Sequence, residues 1–155
     1  MRFTTKTEYG LICLIYMANH AELHPITIKE IAKDERYSQA FTEKILQKLR
    51  FAKVLASHQG NQGGYILARP ASQITLREII EALEGRTFDV FCEPKVRKEI
   101  ICTHYPSCGV MPIWEKTKAL LDSFFASITL EMLAKNALES RRASLPTIQP
   151  TSAAG

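Results

Sequence analysis

The most restrictive feature of this chain is a glycine-rich run, His58-Gln59-Gly60-Asn61-Gln62-Gly63-Gly64, set directly behind a short amphipathic helix pattern. Glycines in such a run supply the positive φ angles that a tight hairpin needs. Val54–Ser57 and Tyr65–Ala68 flank it as short strand-forming pieces. Upstream, Phe41, Ile45 and Leu49 recur every four residues with Leu46 alongside. This spacing predicts a helix that starts after an N-cap at Ser38, runs to about Ala52 and buries one face. Its other face is expected to carry Gln39, Thr42, Lys44, Lys48 and Lys53. Before it, Thr27-Ile28-Lys29-Glu30 is a capping box, in which each side chain satisfies a backbone donor at a helix start. Ile28, Ile31 and Ala32 give that short helix its inward face, and a polar turn spans Lys33–Tyr37. Two short helices, a tight turn and a hairpin make a winged helix-turn-helix.

Charge concentrates in the same place. From Arg36 to His58, five cations (Arg36, Lys44, Lys48, Arg50, Lys53) face one carboxylate, Glu43. That local excess equals the net +4 of all 155 residues, so composition permits contact with a polyanion and locates it. Hydrophobic residues make up 46%, enough for a core that a disordered chain lacks. No apolar run is long enough to cross a bilayer, and the start, Met1–Lys6, lacks the pattern of a secretory signal. A cytoplasmic location is expected. There, cysteines are more often buried thiols, metal ligands or redox centres than structural disulfides. No nucleophile–base pairing or phosphate loop is present, and the glycines precede a strand rather than a helix, so an enzyme is not expected.

The remaining elements frame this unit. Thr5–His20 is apolar on nearly every side, as a central helix is, and Cys13 lies among its Ile and Leu residues as a small core side chain. Thr75-Leu76-Arg77-Glu78 repeats the capping box, with Ile74 and Ile79 as a hydrophobic staple, and that helix stops at Gly85. Periodicity then vanishes from Arg86 to Met111, a segment holding Cys92, Cys102 and Cys108. Pro112 opens a long helix on which Trp114, Thr117, Leu121, Phe124 and Ile128 form a near-heptad stripe. A stripe of that kind is best covered by the same helix of a second copy, which predicts a homodimer. Thr129 is expected to cap a short continuation through Ala134, and a Ser/Pro/Ala-rich tail follows Ser140. The expected organisation is therefore a mainly α chain. A winged helix-turn-helix domain occupies 1–85, a cysteine-bearing loop 86–111, a dimerisation helix region 112–139 and a flexible tail 140–155.

Thr7-Glu8-Tyr9-Gly10, Ser38-Gln39-Ala40-Phe41-Thr42-Glu43, Leu49-Arg50-Phe51-Ala52, the wing from Gly60 to Arg69 and three cysteines before a Trp-led helix occur in a specific order. In that order the chain resembles the bacterial winged-helix iron–sulfur regulators that include IscR and NsrR. The likeness spans roughly Met1 to Ala134. It implies a homodimer whose recognition helices enter successive major grooves of a palindromic DNA operator, with the wings in the neighbouring minor grooves. It further implies repression governed by iron, redox or nitric oxide status.

Two sets of candidate residues follow. Cys92, Cys102 and Cys108 are ligands expected of an iron–sulfur cluster, 2Fe-2S or 4Fe-4S, since thiolates are the usual ligands and Lys95, Arg97 and Lys98 favour the thiolate form. The fourth ligand is Glu8 from the partner subunit or His104, with Glu8 preferred. A zinc site completed by His104, or a thiol–disulfide pair, remains the alternative chemistry. For DNA, Gln39 and Glu43 match readout positions, since Gln pairs with adenine and Glu accepts from cytosine. Ser38 and Thr42 suit phosphates or bases, while Lys44, Lys48 and Arg50 form a solvated basic face of which only some are expected to touch DNA. His58 and Gln59 stand in the wing, where the family commonly has Arg before the first glycine. A non-DNA reading also stays open, a cluster-carrying protein that docks on a partner.

Overall fold

The computed structural model describes residues 3–20, 25–60, 63–88, 102–104 and 107–143. Six helices and one hairpin follow in the order α1 (Thr5–His20), α2 (Ile28–Asp34), α3 (Gln39–Phe51), β1 (Leu55–His58), β2 (Gly64–Leu67), α4 (Leu76–Glu84), α5 (Met111–Ser127) and α6 (Leu130–Ala143). The fold is mainly α, with a two-stranded antiparallel sheet in the register Leu55↔Leu67 to His58↔Gly64.

Apolar periodicity decides the core. Leu14 and Met17 of α1, Ile45, Leu46 and Leu49 of α3, and Ile79 and Leu83 of α4 are all buried and meet in one cluster. Burying such side chains stabilises by roughly 1.5–3 kcal/mol each. Gly10 lets α1 approach closely: a Cβ there would stand 2.4 Å from Leu83 Cδ1. Cys13 is wholly buried, and burial with the nearby Glu35 charge pushes its thiol pKa up to about 12. It is a core residue with no thiolate at neutral pH.

Both capping boxes form. Thr27 and Glu30 cap α2 reciprocally, and Thr75 and Glu78 cap α4, which ends at Gly85 in the left-handed conformation (φ 89). The helix-turn-helix closes differently, without glycine. At the end of α2, Arg36 N–H bonds to Lys33 O and Tyr37 N–H to Ala32 O. At the end of α3, Lys53 N–H bonds to Arg50 O and Val54 N–H to Leu49 O. Both are Schellman closures, and the residue in the left-handed position is Arg36 (φ 57) in one and Lys53 (φ 60) in the other.

The C-terminal part departs from expectation. The long helix breaks at Ile128, which is extended (φ -98, ψ 125). Leu76 N–H bonds to Ile128 O and Leu130 N–H to Ile74 O, both at 2.8 Å, so residues 128–130 form a small strap on the start of α4. Ile128 is therefore not part of a helical stripe. α6 then turns back against α1 and runs to Ala143, beyond both the Ala134 end and the Ser140 boundary expected from sequence. Thr129 Oγ1 accepts from Met132 N–H at its start.

Candidate nucleic-acid interface

Helix α3 presents two distinct rows. Gln39, Glu43 and Gln47 follow one another at four-residue spacing, and Gln47 Nε2 donates to Glu43 Oε1 at 3.2 Å. Ser38, Gln39 and Glu43 are exposed. Ser38 occupies the N-cap position with extended backbone but makes no side-chain capping bond. The second row is Lys44, Lys48 and Phe51, which with Lys6, Phe41, Ile45 and Gln47 lines an open groove of about 310 Å³ between α1 and α3. Phe51 is 76% exposed, and the Arg50 guanidinium lies 5.1 Å from its ring centre.

One expected contact, that of Thr42, is corrected by this arrangement. Thr42 is 0% exposed and its hydroxyl donates to Ser38 O at 3.0 Å, so it faces the core rather than a ligand. It lies three residues before Ile45 and four before Leu46, which gives it their phase on the helix. Lys48 remains on the surface, but its Nζ donates to Leu83 O at 3.3 Å, at the C-terminal end of α4. That cation sits where the helix dipole favours it. Lys44 is exposed.

The wing is held at its base. Arg69 donates through Nε to Gln73 O, through Nη1 to Lys53 O, and pairs with Glu78 Oε1. One guanidinium thus joins the wing, the turn after α3 and the cap of α4. Burial works against ionisation of Glu78, but bonds from Thr75 and Arg69 outweigh it and hold the carboxyl below its ordinary range. Gly64 (φ 147) touches a second segment: a Cβ there would be 3.0 Å from Ile26 O. Ile26 and Tyr65 exchange both backbone bonds at 2.9 and 2.8 Å, stitching the wing to the chain before α2. His58 and Gln59 are exposed toward the wing tip.

A winged helix-turn-helix with an exposed polar row on its second helix accords with comparison to known proteins. The family model for Rrf2, described as an iron-dependent transcriptional regulator, matches residues 3–136. The chain belongs to the Rrf2 family. It is 29% identical over 136 residues to the HTH-type transcriptional regulator IscR of Xenorhabdus nematophila, covering 88% of this chain and 80% of that one. Among solved structures, CymR, the global cysteine regulator of B. subtilis, superposes with TM-score 0.71 at 29% identity, covering 88% of this chain and 98% of the other. T. potens IscR superposes with TM-score 0.68 at 30% identity, covering 91% of each. This Rrf2 chain is accordingly a DNA-binding transcriptional regulator, not an enzyme. No described helix is long and apolar enough to cross a membrane.

The cysteine segment of this Rrf2 protein is described in part. Cys92 lies outside the described residues. Cys102 and Cys108 are half-buried free thiols, and His104 is exposed. Glu8 is exposed in the first turn of α1. Among the described residues, no three His, Cys, Asp or Glu side chains converge on a common point. Partly accessible thiols fit a thiolate-held iron–sulfur cluster, and equally a zinc ion.

The helix that follows is phased differently from the stripe read in the sequence. Ile113, Leu120 and Phe124 are 59%, 64% and 58% exposed, whereas Leu121 is half-buried and Phe125 is buried. Trp114 is 37% exposed and its ring lies 6.1 Å from that of Phe88. Thr117 is half-buried and donates to Ile113 O. The most open apolar side chains are thus Ile113, Leu120 and Phe124, and Leu120, absent from the stripe read in the sequence, is the most exposed of them. Its spacing of seven from Ile113 and four from Phe124 is the signal that could have found it.

Proposed function

We propose that this regulator is a homodimeric repressor whose grip on a palindromic operator is set by the state of Cys92, Cys102 and Cys108. The observation that carries the reading is the pairing of two features. Half-buried, unbridged thiols at Cys102 and Cys108 stand immediately before α5, whose exposed apolar seam a second copy would cover. Ser38, Gln39 and Glu43 at the start of α3 read base edges, while Lys44 and wing residues His58 and Gln59 contact the backbone. Glu43 selects rather than attracts, since its charge repels phosphate.

Cys92, Cys102 and Cys108, with Glu8 of the partner subunit or His104 as fourth ligand, would hold an iron–sulfur cluster, which would supply sensitivity to iron, oxidants and nitric oxide. The cysteines contribute the thiolates, and Glu8 is accessible at the surface of α1. Supporting this are the family's description as iron-dependent and the likeness to IscR proteins. A second reading draws on the likeness to a cysteine regulator: the same thiols act as a thiol–disulfide or zinc switch.

Anaerobic purification with iron, sulfide and zinc counts separates the two. Iron and sulfide with visible absorption, lost in Cys92→Ala, Cys102→Ala or Cys108→Ala, is the expected result. Zinc, or oxidation-dependent pairing without iron, would shift the assignment to the second reading. Alanine variants that regulate like the wild type would remove the cysteines from both. Sequence-specific operator binding that weakens steeply with salt is expected, and its absence would exclude a repressor.

A further inference from the structure

Five residues before Cys92, the chain is pinned by a charged knot. Thr87 is 2% exposed, and its hydroxyl donates to Asp122 Oδ1 on α5. The other oxygen of Asp122 accepts from Lys118 Nζ at 2.9 Å, one turn earlier on α5. Arg77 Nη2 of α4 stands 3.7 Å from that oxygen, while its Nε bonds to Glu81. Burial opposes ionisation of Asp122, but Thr87, Lys118 and Arg77 together hold its carboxyl below the usual range. One carboxylate therefore joins three parts: the entry to the cysteine segment, α5, and α4 of the DNA-binding unit.

The route continues through α4 to the DNA-facing elements. At its end, Leu83 O accepts Lys48 of α3, and Glu84 Oε1 accepts from Thr4 N–H and from the Thr4 and Thr7 hydroxyls at the start of α1. At its beginning, Glu78 holds Arg69 and with it the base of the wing. A shift of α4 therefore reaches α3, α1 and the wing at once. By contrast, Phe88 meets Trp114 at the start of α5 by a ring contact without directional bonding.

We infer that Asp122 is a positioning residue for regulation, passing the state of the cysteine segment to α4 through its bond from Thr87. The inference rests on the reading that this state controls DNA affinity. Thr87 is the informative position, because Thr87→Val keeps the shape and removes only the donated bond. Asp122 then keeps Lys118 and Arg77, so the fold is retained. Thr87→Ser restores the donor and serves as the rescue.

The test compares the protein purified anaerobically with the same protein after chelation and alkylation of its accessible thiols. Two quantities are read: the ratio of operator affinities between the two preparations, and the emission of Trp114, the only tryptophan in the chain. Coupling between sites commonly amounts to about 5–150-fold. A wild-type ratio in that range should collapse to under about twofold in Thr87→Val and return in Thr87→Ser. Trp114 should still respond in Thr87→Val, because its contact with Phe88 is untouched. Asp122→Asn should reduce the ratio without abolishing operator binding. A full ratio in both Thr87→Val and Asp122→Asn would overturn the role of the knot while leaving cysteine control intact. A wild-type ratio of one would overturn cysteine control itself, and the inference with it. Thermal melting of each variant guards against reading a folding defect as uncoupling.

Discussion

Helices α4 and α5 are adjacent in the fold and opposite in what they require. α4 is complete within one chain: a capping box opens it, a left-handed glycine closes it, and Ile79, Ile80 and Leu83 are buried beneath it. α5 has no side-chain cap, and of its apolar residues only Phe125 is fully covered, leaving Ile113, Leu120 and Phe124 open. The contrast separates two uses of amphipathicity. One helix uses its apolar face to build the domain; the other leaves an apolar face open, which the proposed dimer would cover.

This contrast can be broken most forcefully through α4. Ile79→Ala removes a wholly buried side chain and should cost about 2–5 kcal/mol in urea unfolding. A loss under about 1 kcal/mol would mean that α4 is not the keystone described. On α5 the same kind of change should leave monomer stability nearly untouched. Leu120→Asp combined with Phe124→Asp should instead convert a dimer to monomers in sedimentation. Operator affinity should fall on the order of 100-fold, because tethered half-site readers lose their effective concentration when separated. A double variant that stays dimeric would refute the proposed dimer seam.

A smaller effect tests the joints around α4. Glu78, Glu84 and Asp122 all titrate below their ordinary range, held down by hydrogen bonds and cations against the opposing effect of burial. Unfolded carboxyls titrate near about 4. With folded values depressed, the stabilisation is complete above that pH and is lost as pH falls through the folded values. Urea midpoints measured from pH 6 down to pH 3 should therefore drop below about pH 4, and Glu84→Gln should flatten part of that drop. A Glu84→Gln profile parallel to wild type would show that this carboxylate is not coupled to folding.

The smallest effect concerns the close of the helix-turn-helix. Lys53→Gly relieves a left-handed lysine and should stabilise by roughly 0.5–1 kcal/mol. It also removes a cation near the wing, so operator binding should weaken slightly while the melting temperature rises. Melting temperature and affinity that rise together would show the charge to be idle.

The domain-building half of this comparison was legible in the sequence, and the exposure pattern of α5 only in outline. Two Thr-x-x-Glu boxes, a Gly85 stop and a glycine hairpin each act through local backbone chemistry, which neighbouring residues determine. Cys13 was readable as core for the same reason, from its apolar neighbours. Thr42 was misplaced because its residue type suggested surface, although its phase matched Ile45 and Leu46. The break at Ile128 depends on backbone bonds to Ile74 and Leu76, more than fifty positions away in the chain, and no local pattern announces such pairing. Apolar residues occur on both sides of α5, and only packing against α4 decides which of them are covered. Arg36 and Lys53 hid their left-handed geometry by not being glycine.

The strap at Ile128–Leu130 has a mechanical meaning. It clamps the far end of α5 to the root of α4, and Asp122 ties the same half of the helix to Arg77, so α5 is a lever held toward one end, not a free arm. Its 17 residues span about 25 Å. A tilt of about 5° at the clamp moves the other end, where the cysteines enter, by about 2 Å. Run in reverse, a displacement of that size at the cysteine end becomes a small rotation beside the DNA-binding unit, and in a dimer both levers would turn about a shared seam.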